Sequence, residues 1–415
     1  MTMLTGTNLV YTKQYNLRIV HEVIRLFGPL SRAEIARRTE LTVQTVSNLT
    51  KELLAAGLVC EAGQRQEGRG APSMALALNP AGAYAIGLDL DRDHLTGVLV
   101  DLSGTVRQRI HVELDFPTPA QALELLVETA NGLMEGQGLR RAAVSGVGIG
   151  VPGPMHLGED GKDYVVNPRA FPGWHDIPLA GWVRERLAMP VFLENNATAA
   201  AVGERWYGGG RQIRTFFYIY FGSGLGGGLV MNGQPYEGFT GNAGELGYLP
   251  ASAPDTPPGE ERPHVGLDFN LSRLYEKLRA DGTDARTPED LELLLSERNP
   301  RLMAWIDRAA EHLTSLVLAI ECLIDPEAIF FGGRLSDRLL QTLLDRVEAL
   351  LPLRQVGDGL PGPAYLLATA GADAAALGVA TLPLYEAFAP APHVLLKQGR
   401  GAAGASVVAP WAFAG

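Results

Sequence analysis

One stretch of the sequence places polar side chains where open α/β proteins bind their ligands. Residues 191–201, VFLENNATAAA, read as a short apolar strand, three consecutive polar residues and an alanine-rich helix. Ligands in such folds lie outside the carboxyl end of a strand, beside the helix that follows it. Glu194, Asn195 and Asn196 occupy that place. The place suits a catalytic carboxylate, but the helix begins with amides, which have no basic lone pair. The stretch therefore predicts a binding cleft and leaves catalysis open.

A second group of polar side chains lies on a predicted helix near the N-terminus. Thr42 is a suitable N-cap, and the helix runs to Ala56 and closes at Gly57. Its predicted buried stripe consists of Val43, Val46, Leu49, Leu53 and Leu54. Its exposed side carries Gln44, Thr45, Asn48 and Lys51. Gln and Asn can pair bidentately with adenine, and Thr can contact a thymine methyl, so this face suits base recognition.

Two shorter helices precede this one. The first covers residues 15–27, and a capping box formed by Ser31 and Glu34 starts the second. The first helix is predicted to bury Leu17, Val20, Ile24 and Phe27. Two helices before a third with a polar, uncharged face are typical of a helix-turn-helix. A small helical protein-interaction module is the alternative.

The segment after the third helix predicts a wing. Residues 58–79 read as two strands around a tip that contains glycine and arginine. Arg65 and Arg69 are placed there for phosphates or the minor groove. We therefore predict a winged helix-turn-helix DNA-binding domain over residues 1–80. Its predicted DNA-binding residues are Thr42, Gln44, Thr45, Asn48, Lys51, Arg65 and Arg69.

The charge of the chain is unevenly distributed. The whole chain carries a formal charge of −11, which argues against general nucleic-acid binding. Residues 1–80 hold nine Lys/Arg and six Asp/Glu, a balance of +3, whereas the remainder holds 26 and 40, a balance of −14. We expect any contact with DNA to be confined to the basic head.

The cysteines and the apolar segments indicate a cytoplasmic protein. Cys60 and Cys322 are the only cysteines, too few for a disulfide framework or a zinc site. No apolar segment follows Met1, so a signal peptide is not expected. The most apolar helical run, residues 313–324, is short and carries Glu321, so we predict core and no membrane partner.

The rest of the chain alternates strands and helices and predicts a three-layer α/β body. Its second half also starts with a hairpin, where Asn232-Gly233 is a strong two-residue turn signal. Two halves that each open with antiparallel strands predict an internal duplication around a central cleft. The predicted units are a first lobe at 81–196, a second lobe at 197–369, a helix at about 370–385 that closes the first lobe, and a C-terminal extension at 386–415.

The motifs of this body resemble those of the ROK family of repressors and sugar kinases. The matching stretches, in order over about residues 85–382, are GVGIGVPGP, NPRAFPGW, VFLENNATAAAVGERWYG, GSGLGGGLVMNG, GNAGELGY, DPEAIFFGG and AGADAAALG. The head and the joining segment GRGAPSMALALNP resemble the repressor branch of the family. The resemblance implies an actin-like sugar-kinase fold, and it says more about fold than about function.

The resemblance also implies that ATP binding is impaired. The family's kinases hold phosphates on an Asp-x-Gly-Gly-Thr-Lys turn, and residues 89–94 match it with Asp-Leu-Asp-Arg-Asp-His. The glycines are gone, and Asp91 and Asp93 would face the triphosphate. A like charge within about 4 Å costs on the order of several kcal/mol at a partly buried site. Residues 222–228 keep the second loop's glycines. A strand and an Asn-Gly turn follow these glycines, which argues against a dinucleotide-binding site. Because the first loop is altered, we interpret the glycines as shaping a β-hairpin against the floor of the cleft.

Asn196 stands where the resemblance places an aspartate that acts as general base. Loss of a general base typically costs about 10²–10⁴-fold in rate. With the phosphate loop also altered, we predict no catalytic residue and no cofactor. Tyr248 replaces a zinc-binding histidine of the family, and no cysteine follows it in the next stretch, so no metal is expected.

The resemblance implies that the cleft still contacts a sugar. Asn195 and Glu245 match the family's sugar-hydroxyl binders, Asn196 can still form a hydrogen bond, and Asp268 aligns loosely with a further sugar-binding glutamate. The predicted ligand-binding residues are Asn195, Asn196, Glu245, Tyr248 and Asp268. The alternative is that these residues have only a structural role and hold the walls of the cleft in contact.

These features predict a DNA-binding transcriptional regulator, expected to be a repressor, whose degenerate sugar-kinase-like body senses a sugar or sugar derivative. The expected partners are palindromic operator DNA, the small-molecule effector and a second copy of the chain in a homodimer or higher homo-oligomer. The alternative is an active ATP-dependent sugar kinase with a DNA-binding head. A regulator without a small-molecule effector is a third hypothesis.

Overall fold

The computed structural model describes residues 9–65, 73–159, 163–168, 171–250, 264–354 and 361–390. These residues form a small head and a two-lobed body. The predicted fold class is confirmed: a winged helix-turn-helix precedes an actin-like α/β body. No helix in the described ranges is both long and apolar enough to span a membrane.

The head consists of three helices and a three-stranded sheet. Its elements are α1 (Leu9–Phe27), β1 (Leu30–Ser31), α2 (Arg32–Thr39), α3 (Val43–Ala55), β2 (Val59–Arg65) and β3 (Ser73–Leu78). Ser31 and Glu34 form the predicted capping box of α2. Thr42 caps α3, because its side chain accepts the Thr45 N–H at 3.1 Å. β3 pairs antiparallel with both β1 and β2, so the wing is tied to the helices through one sheet.

Two predicted core positions of the head were wrong. Val43 is 57% exposed and Phe27 is 49% exposed. Each is the terminal residue of its helix, beyond the reach of the core, and Phe27 instead lies under the Arg38 guanidinium at 4.4 Å. Helical spacing fixes the direction of an apolar stripe but not where the core ends along the axis. The helix α1 also starts at Leu9, earlier than the predicted residue 15.

The wing is only partly described. Residues 66–72, which include Arg69, lie outside the described ranges, and so does the side chain of Arg65. The phosphate or minor-groove contacts of both arginines therefore stay predictions.

The first lobe is built on a five-stranded mixed sheet. Its elements are β4 (Tyr84–Leu90), β5 (His94–Asp101), β6 (Val106–Glu113), α4 (Pro119–Gly136), β7 (Val144–Val151), β8 (Met155–Leu157), β9 (Tyr164–Val166), α5 (Leu179–Leu187) and β10 (Val191–Asn195). The strand order is β10-β7-β4-β5-β6. β4 pairs antiparallel with β5 and parallel with β7, and β7 pairs parallel with β10.

The second lobe repeats this sheet. Its elements are α6 (Asn196–Tyr207), β11 (Phe216–Phe221), β12 (Leu225–Met231), β13 (Gln234–Pro235), α7 (Val265–Asp268), α8 (Leu271–Ala280), α9 (Pro288–Ser296), α10 (Pro300–Ile324), β14 (Ala328–Gly333), α11 (Asp337–Arg354) and β15 (Ala364–Leu367). The order β13-β12-β11-β14-β15 has the same antiparallel and parallel pairings as the first sheet. Asn232 and Gly233 both have positive φ, as a two-residue hairpin turn needs. The matched topology is what an internal duplication produces.

Two small-residue helices lie between the sheets. They are α6 and the last helix, α12 (Ala374–Phe388), and they pack so closely that a Cβ on Gly378 would lie 1.8 Å from the Ala199 carbonyl oxygen. The other side of α12 meets the first sheet, where a Cβ on Gly87 would lie 2.0 Å from the Ala376 carbonyl oxygen. The alanine and glycine composition of both helices is therefore required by close backbone approach.

One attachment of the head to the body joins α1 to α12. The Arg18 guanidinium donates to the carbonyl oxygens of Glu386 and Ala389, both at 2.9 Å. The His21 ring stacks on Phe388 with 5.2 Å between centroids, and burial lowers the pKa of His21 to about 4. Phe388 belongs to the apolar core of the head. The helix thus continues past the predicted residue 385 and anchors the DNA-binding domain.

Candidate functional site

The turn from β10 to α6 joins both lobes at one residue. The Asn195 Oδ1 accepts the Ala197 N–H at 2.8 Å and so caps α6. The Asn195 Nδ2 donates to the Glu245 Oε1 at 3.1 Å. Asn195 ends a strand of the first lobe, whereas Glu245 follows the hairpin of the second lobe. One amide therefore orders the helix start and connects the two walls of the cleft.

A cleft of about 380 Å³ opens above this turn. Four of the predicted ligand-binding residues line it together: Asn195, Asn196, Glu245 and Tyr248. Asp268 lies in α7, but its side chain is outside the described part of the chain, so its role stays a prediction. The volume is within the usual range for small-molecule sites.

The polar groups of the cleft can both donate and accept hydrogen bonds. Asn196 is only 7% exposed, and its side chain forms no hydrogen bond with the described residues, so its amide remains available to a ligand. Burial raises the pKa of Glu245 to about 7, although the hydrogen bond from Asn195 opposes the shift. Near neutral pH this carboxyl group can therefore serve a hydroxyl as acceptor or as donor.

Several residues of the cleft were missed from the sequence. They are Phe171, His264, Asn270 and Arg273. Asn270 caps α8 through the Arg273 N–H at 3.0 Å, and this N-cap pattern was readable before the LSRL segment. His264 Nδ1 lies 2.7 Å from the Gly247 carbonyl oxygen, so the ring must carry a proton on Nδ1 there. The histidine is thereby oriented beside Tyr248, with 6.0 Å between ring centroids.

The altered phosphate loop contacts the glycine loop directly. The Ser223 hydroxyl donates to the Asp91 Oδ1 at 2.5 Å, and the Ser223 N–H donates to the Asp91 Oδ2 at 3.2 Å. The Arg92 guanidinium donates to the Ser223 carbonyl oxygen. A backbone N–H that could hold a phosphate is thus used by a carboxylate of the same chain. We refer to Asp91, Arg92 and Ser223 as the cross-lobe clasp.

Two glycines of the second loop have a packing role. A Cβ on Gly226 would lie 2.8 Å from the Ala197 Cβ, and a Cβ on Gly228 would lie 2.5 Å from the Ala197 carbonyl oxygen. Because these residues belong to β12, their lack of a side chain lets α6 pack on the hairpin. Close packing therefore accounts for both positions without a nucleotide.

Behind the clasp lies a buried histidine held by two carboxylates. His94 Nδ1 lies 2.7 Å from the Asp93 Oδ1, and Nε2 lies 3.3 Å from the Asp89 Oδ2. Burial alone would lower the pKa of His94, but the two carboxylates outweigh it and raise the pKa to about 9. Burial also opposes ionisation of Asp93, yet His94 and Arg334 bring its pKa down to about 2. The remaining loop side chains therefore form an internal ionic network.

The predicted DNA-binding face is solvent-accessible. Thr42, Gln44, Asn48 and Lys51 are exposed, and Thr45 is half-buried. The Gln44 Nε2 donates to the Asn48 Oδ1 at 3.3 Å, which prearranges the two amides one helical turn apart. The face thus combines amide, hydroxyl and ammonium groups on one helix.

Comparisons with known proteins agree with both parts of the chain. A model described as ROK family matches residues 85–385, and a model described as MarR family matches residues 14–70. The chain is 30% identical to the xylose repressor of Bacillus spizizenii over 239 residues. That alignment covers 58% of this chain and 61% of the repressor, so the chain spans about three fifths of that relative.

Two further relatives cover more of the chain. The DNA-binding transcriptional dual regulator NagC of Escherichia coli is 25% identical over 359 residues, 83% of this chain and 86% of NagC. The solved structure of a ROK family transcriptional regulator, described as a homologue of the E. coli MLC protein, has a TM-score of 0.69 at 21% identity, and the match covers 91% of this chain and 100% of that one. At this identity the structure shows a shared fold. With the family model matching most of its length, the chain belongs to the ROK family.

Proposed function

We propose that the chain is a sugar-responsive transcriptional repressor. The observation that carries the proposal is that α12 contacts both the helix beside the cleft and the DNA-binding head. This helix packs on α6 beside the cleft, where Gly378 meets Ala199, and its last turn is bound by Arg18 of the head. A ligand that prefers one arrangement of the lobes therefore acts on the helix that carries the DNA-binding domain.

The cleft suits a polyhydroxylated ligand. Asn195 and Glu245 are joined across it, and the Asn196 amide is available as donor and acceptor. Aromatic Phe171 and Tyr248 add flat apolar surface. The name of one relative, xylose repressor, supports a sugar or a sugar derivative as effector.

A binding role fits the site better than phosphoryl transfer. Asn196 offers no general base, and Asp91 holds the Ser223 N–H that a phosphate would need. A kinase also has to admit a nucleotide beside this carboxylate, against like-charge repulsion. The named relatives are a xylose repressor and a transcriptional dual regulator, which favours a regulator over a kinase.

DNA is the proposed partner of the head. The proposed localisation of the protein is the cytoplasm. The exposed face of α3 supplies base contacts, with Gln44 and Asn48 as readers of adenine. A homodimer would present two heads to a palindromic operator, since twofold proteins bind twofold sites.

The test uses purified full-length protein and the DNA upstream of its own gene. We expect sequence-selective, salt-dependent binding, measured by fluorescence anisotropy against a scrambled duplex of equal length. A thermal-shift panel of pentoses, hexoses and N-acetylhexosamines should yield stabilising ligands. Equal affinity for both duplexes would overturn the DNA-binding role. Turnover of ATP with any panel sugar at an ordinary kinase rate would overturn the non-enzymatic role.

A further inference from the structure

A second cavity, of about 310 Å³, lies along β10. Residues 191–194 of the strand line this cavity, whereas its last residue, Asn195, lines the sugar cleft. The last two turns of α12 form the facing wall with Leu382, Tyr385 and Glu386. The cavity therefore lies between the strand that ends at the sugar site and the helix that anchors the head.

The charged side chains of this cavity are mostly acidic. Asp163 is paired with Arg184 through two hydrogen bonds of 2.9 Å, so this pair is neutral overall. Glu386 interacts electrostatically with Arg18 of the head. Glu194 and Glu237 have no cationic partner among the described residues. Two carboxyl groups, one buried at Glu194 and one exposed at Glu237, thus line one cavity, an arrangement that a bound cation would stabilise.

Glu194 is a buried group with unused hydrogen-bonding capacity. The residue is 8% exposed, and its Oε1 accepts the Asn195 N–H at 2.7 Å. No described residue donates to its Oε2. Burial raises the pKa of Glu194 to about 8, the Asn195 N–H opposes the shift, and the charge of Glu237 adds to it. The second carboxyl oxygen therefore remains available to a donor in the cavity that Glu194 lines.

The remaining wall is apolar and aromatic. It includes Tyr164, Phe192, Leu193 and Leu382. Aromatic faces attract desolvated ammonium and guanidinium groups, and the aliphatic part accepts a short hydrocarbon chain. A hydrated metal ion would gain nothing from this surface. We propose that the cavity binds a small organic cation, an ammonium or guanidinium group on a short apolar chain, whose charged end lies between Glu194 and Glu237.

At this location the ligand would contact residues that are connected to both the sugar cleft and the DNA-binding head. Glu194 holds the backbone N–H of Asn195, the residue that caps α6 and contacts Glu245 in the sugar cleft. Tyr385 and Glu386 belong to the turn of α12 whose carbonyl oxygen binds Arg18. A cation in the cavity would therefore touch both ends of the connection between the sugar cleft and the head.

The proposal is tested by calorimetric titration of the full-length protein with n-butylammonium and butylguanidinium in physiological salt. The neutral 1-butanol and Mg²⁺ serve as comparison ligands. We expect saturable binding of both organic cations at one site and no binding of 1-butanol or Mg²⁺. Failure of both organic cations to bind, or binding of Mg²⁺ alone, would overturn the proposal. Neither outcome depends on whether the sugar cleft binds a sugar.

Variants locate the site. Glu194→Gln preserves the acceptor for the Asn195 N–H and should weaken butylammonium binding by about ten-fold or more, since a hydrogen bond to a charged group is lost. Glu237→Gln, an exposed substitution, should weaken it by about two- to five-fold. Glu276→Gln on the exposed face of α8 is the matched control and should leave it unchanged. If Glu194→Gln does not fold, the Glu237→Gln variant provides the test. A butylammonium affinity equal to that of the Glu276→Gln control would reject the site.

The pH profile provides a second readout. The ionisable groups that face Glu194 are Asp163, Arg184, Glu237, Glu386, Tyr164 and Tyr385. Because the pKa of Glu194 is about 8, butylammonium binding should strengthen as pH rises from about 6.5 to 8.5, with proton release on binding. The Glu194→Gln variant should lose this dependence. An unchanged profile in the variant would exclude Glu194 as the cation's partner.

Discussion

The bond between Asn195 and Glu245 allows a quantitative test of the cleft's electrostatics. In Asn195→Asp the new carboxylate still caps α6, and a negative charge at a helix N-terminus is favourable by about 0.3–1 kcal/mol. The same substitution replaces the amide donor, 3.1 Å from the Glu245 Oε1, by a second acceptor. Two unit charges at this distance repel by about 5 kcal/mol at an effective dielectric constant of about 20. The pair should therefore share one proton.

The expected result is a pH-dependent loss of stability. Glu245 already has a pKa of about 7 in the folded protein, above its ordinary 4.5. The second carboxylate raises the pair's pKa further, and each unit corresponds to about 1.4 kcal/mol. A raised folded pKa means that stability is present at low pH and lost as pH rises. We expect Asn195→Asp to lie within about 1 kcal/mol of wild type at pH 5.5 and to lose about 1–3 kcal/mol more than wild type by pH 8.5.

The assay is urea unfolding across this pH range, with Asn299→Asp as the matched control. Asn299 caps α10 through the N–H groups of Arg301 and Leu302 at 3.0 and 3.3 Å, and within the described ranges no carboxylate accepts from its amide. Its variant should follow the wild-type pH profile. Parallel profiles for Asn195→Asp and Asn299→Asp would refute a functional contact between Asn195 and Glu245.

Three further predictions concern the head, the clasp and the buried titratable groups. If the Lys51 ammonium contacts one phosphate, Lys51→Ala should make the negative slope of log Kobs against log salt shallower by about 0.9. An unchanged slope in anisotropy titrations would contradict this contact. Asn196→Asp should leave ATP turnover with a panel sugar at background, because Asp91 still holds the Ser223 N–H; kinase activity in a coupled ADP assay would contradict this. The wild-type free energy of unfolding should fall as pH rises from about 7 to 9, a range above both the folded pKa of His21, about 4, and its ordinary value of 6.5. The reason is that the folded pKa values of Glu245, Glu194 and His94, about 7, 8 and 9, all exceed their ordinary values; a rise in stability over this range would contradict it.

Local patterns predicted much of the fold. The cap at Thr42, the capping box at Ser31, and the Asn232-Gly233 turn all depend on a few adjacent residues, and the structure has each of them. The errors at Phe27 and Val43 arose because periodicity shows which side of a helix is apolar, whereas burial depends on what covers it.

The site was predicted only as far as single segments could show it. Asn195, Asn196, Glu245 and Tyr248 come together as expected from the resemblance. The clasp was not foreseen, since Asp91 and Ser223 are 132 positions apart and their pairing follows from the closure of two lobes. The cavity at Glu194 was missed for a similar reason, because its opposite wall comes from the C-terminal helix.

The central proposal is that sugar in the cleft controls DNA affinity through α12, and one measurement tests it most directly. The dissociation constant of full-length protein for its upstream DNA is measured by anisotropy with and without a saturating concentration of the sugar that gives the largest thermal shift. We predict a change of about five- to 150-fold, the usual range of coupling free energies. The change should disappear in Asn195→Ala, which lacks the contact to Glu245, and persist in Asn299→Ala. A dissociation constant that is the same with and without bound sugar would contradict the account.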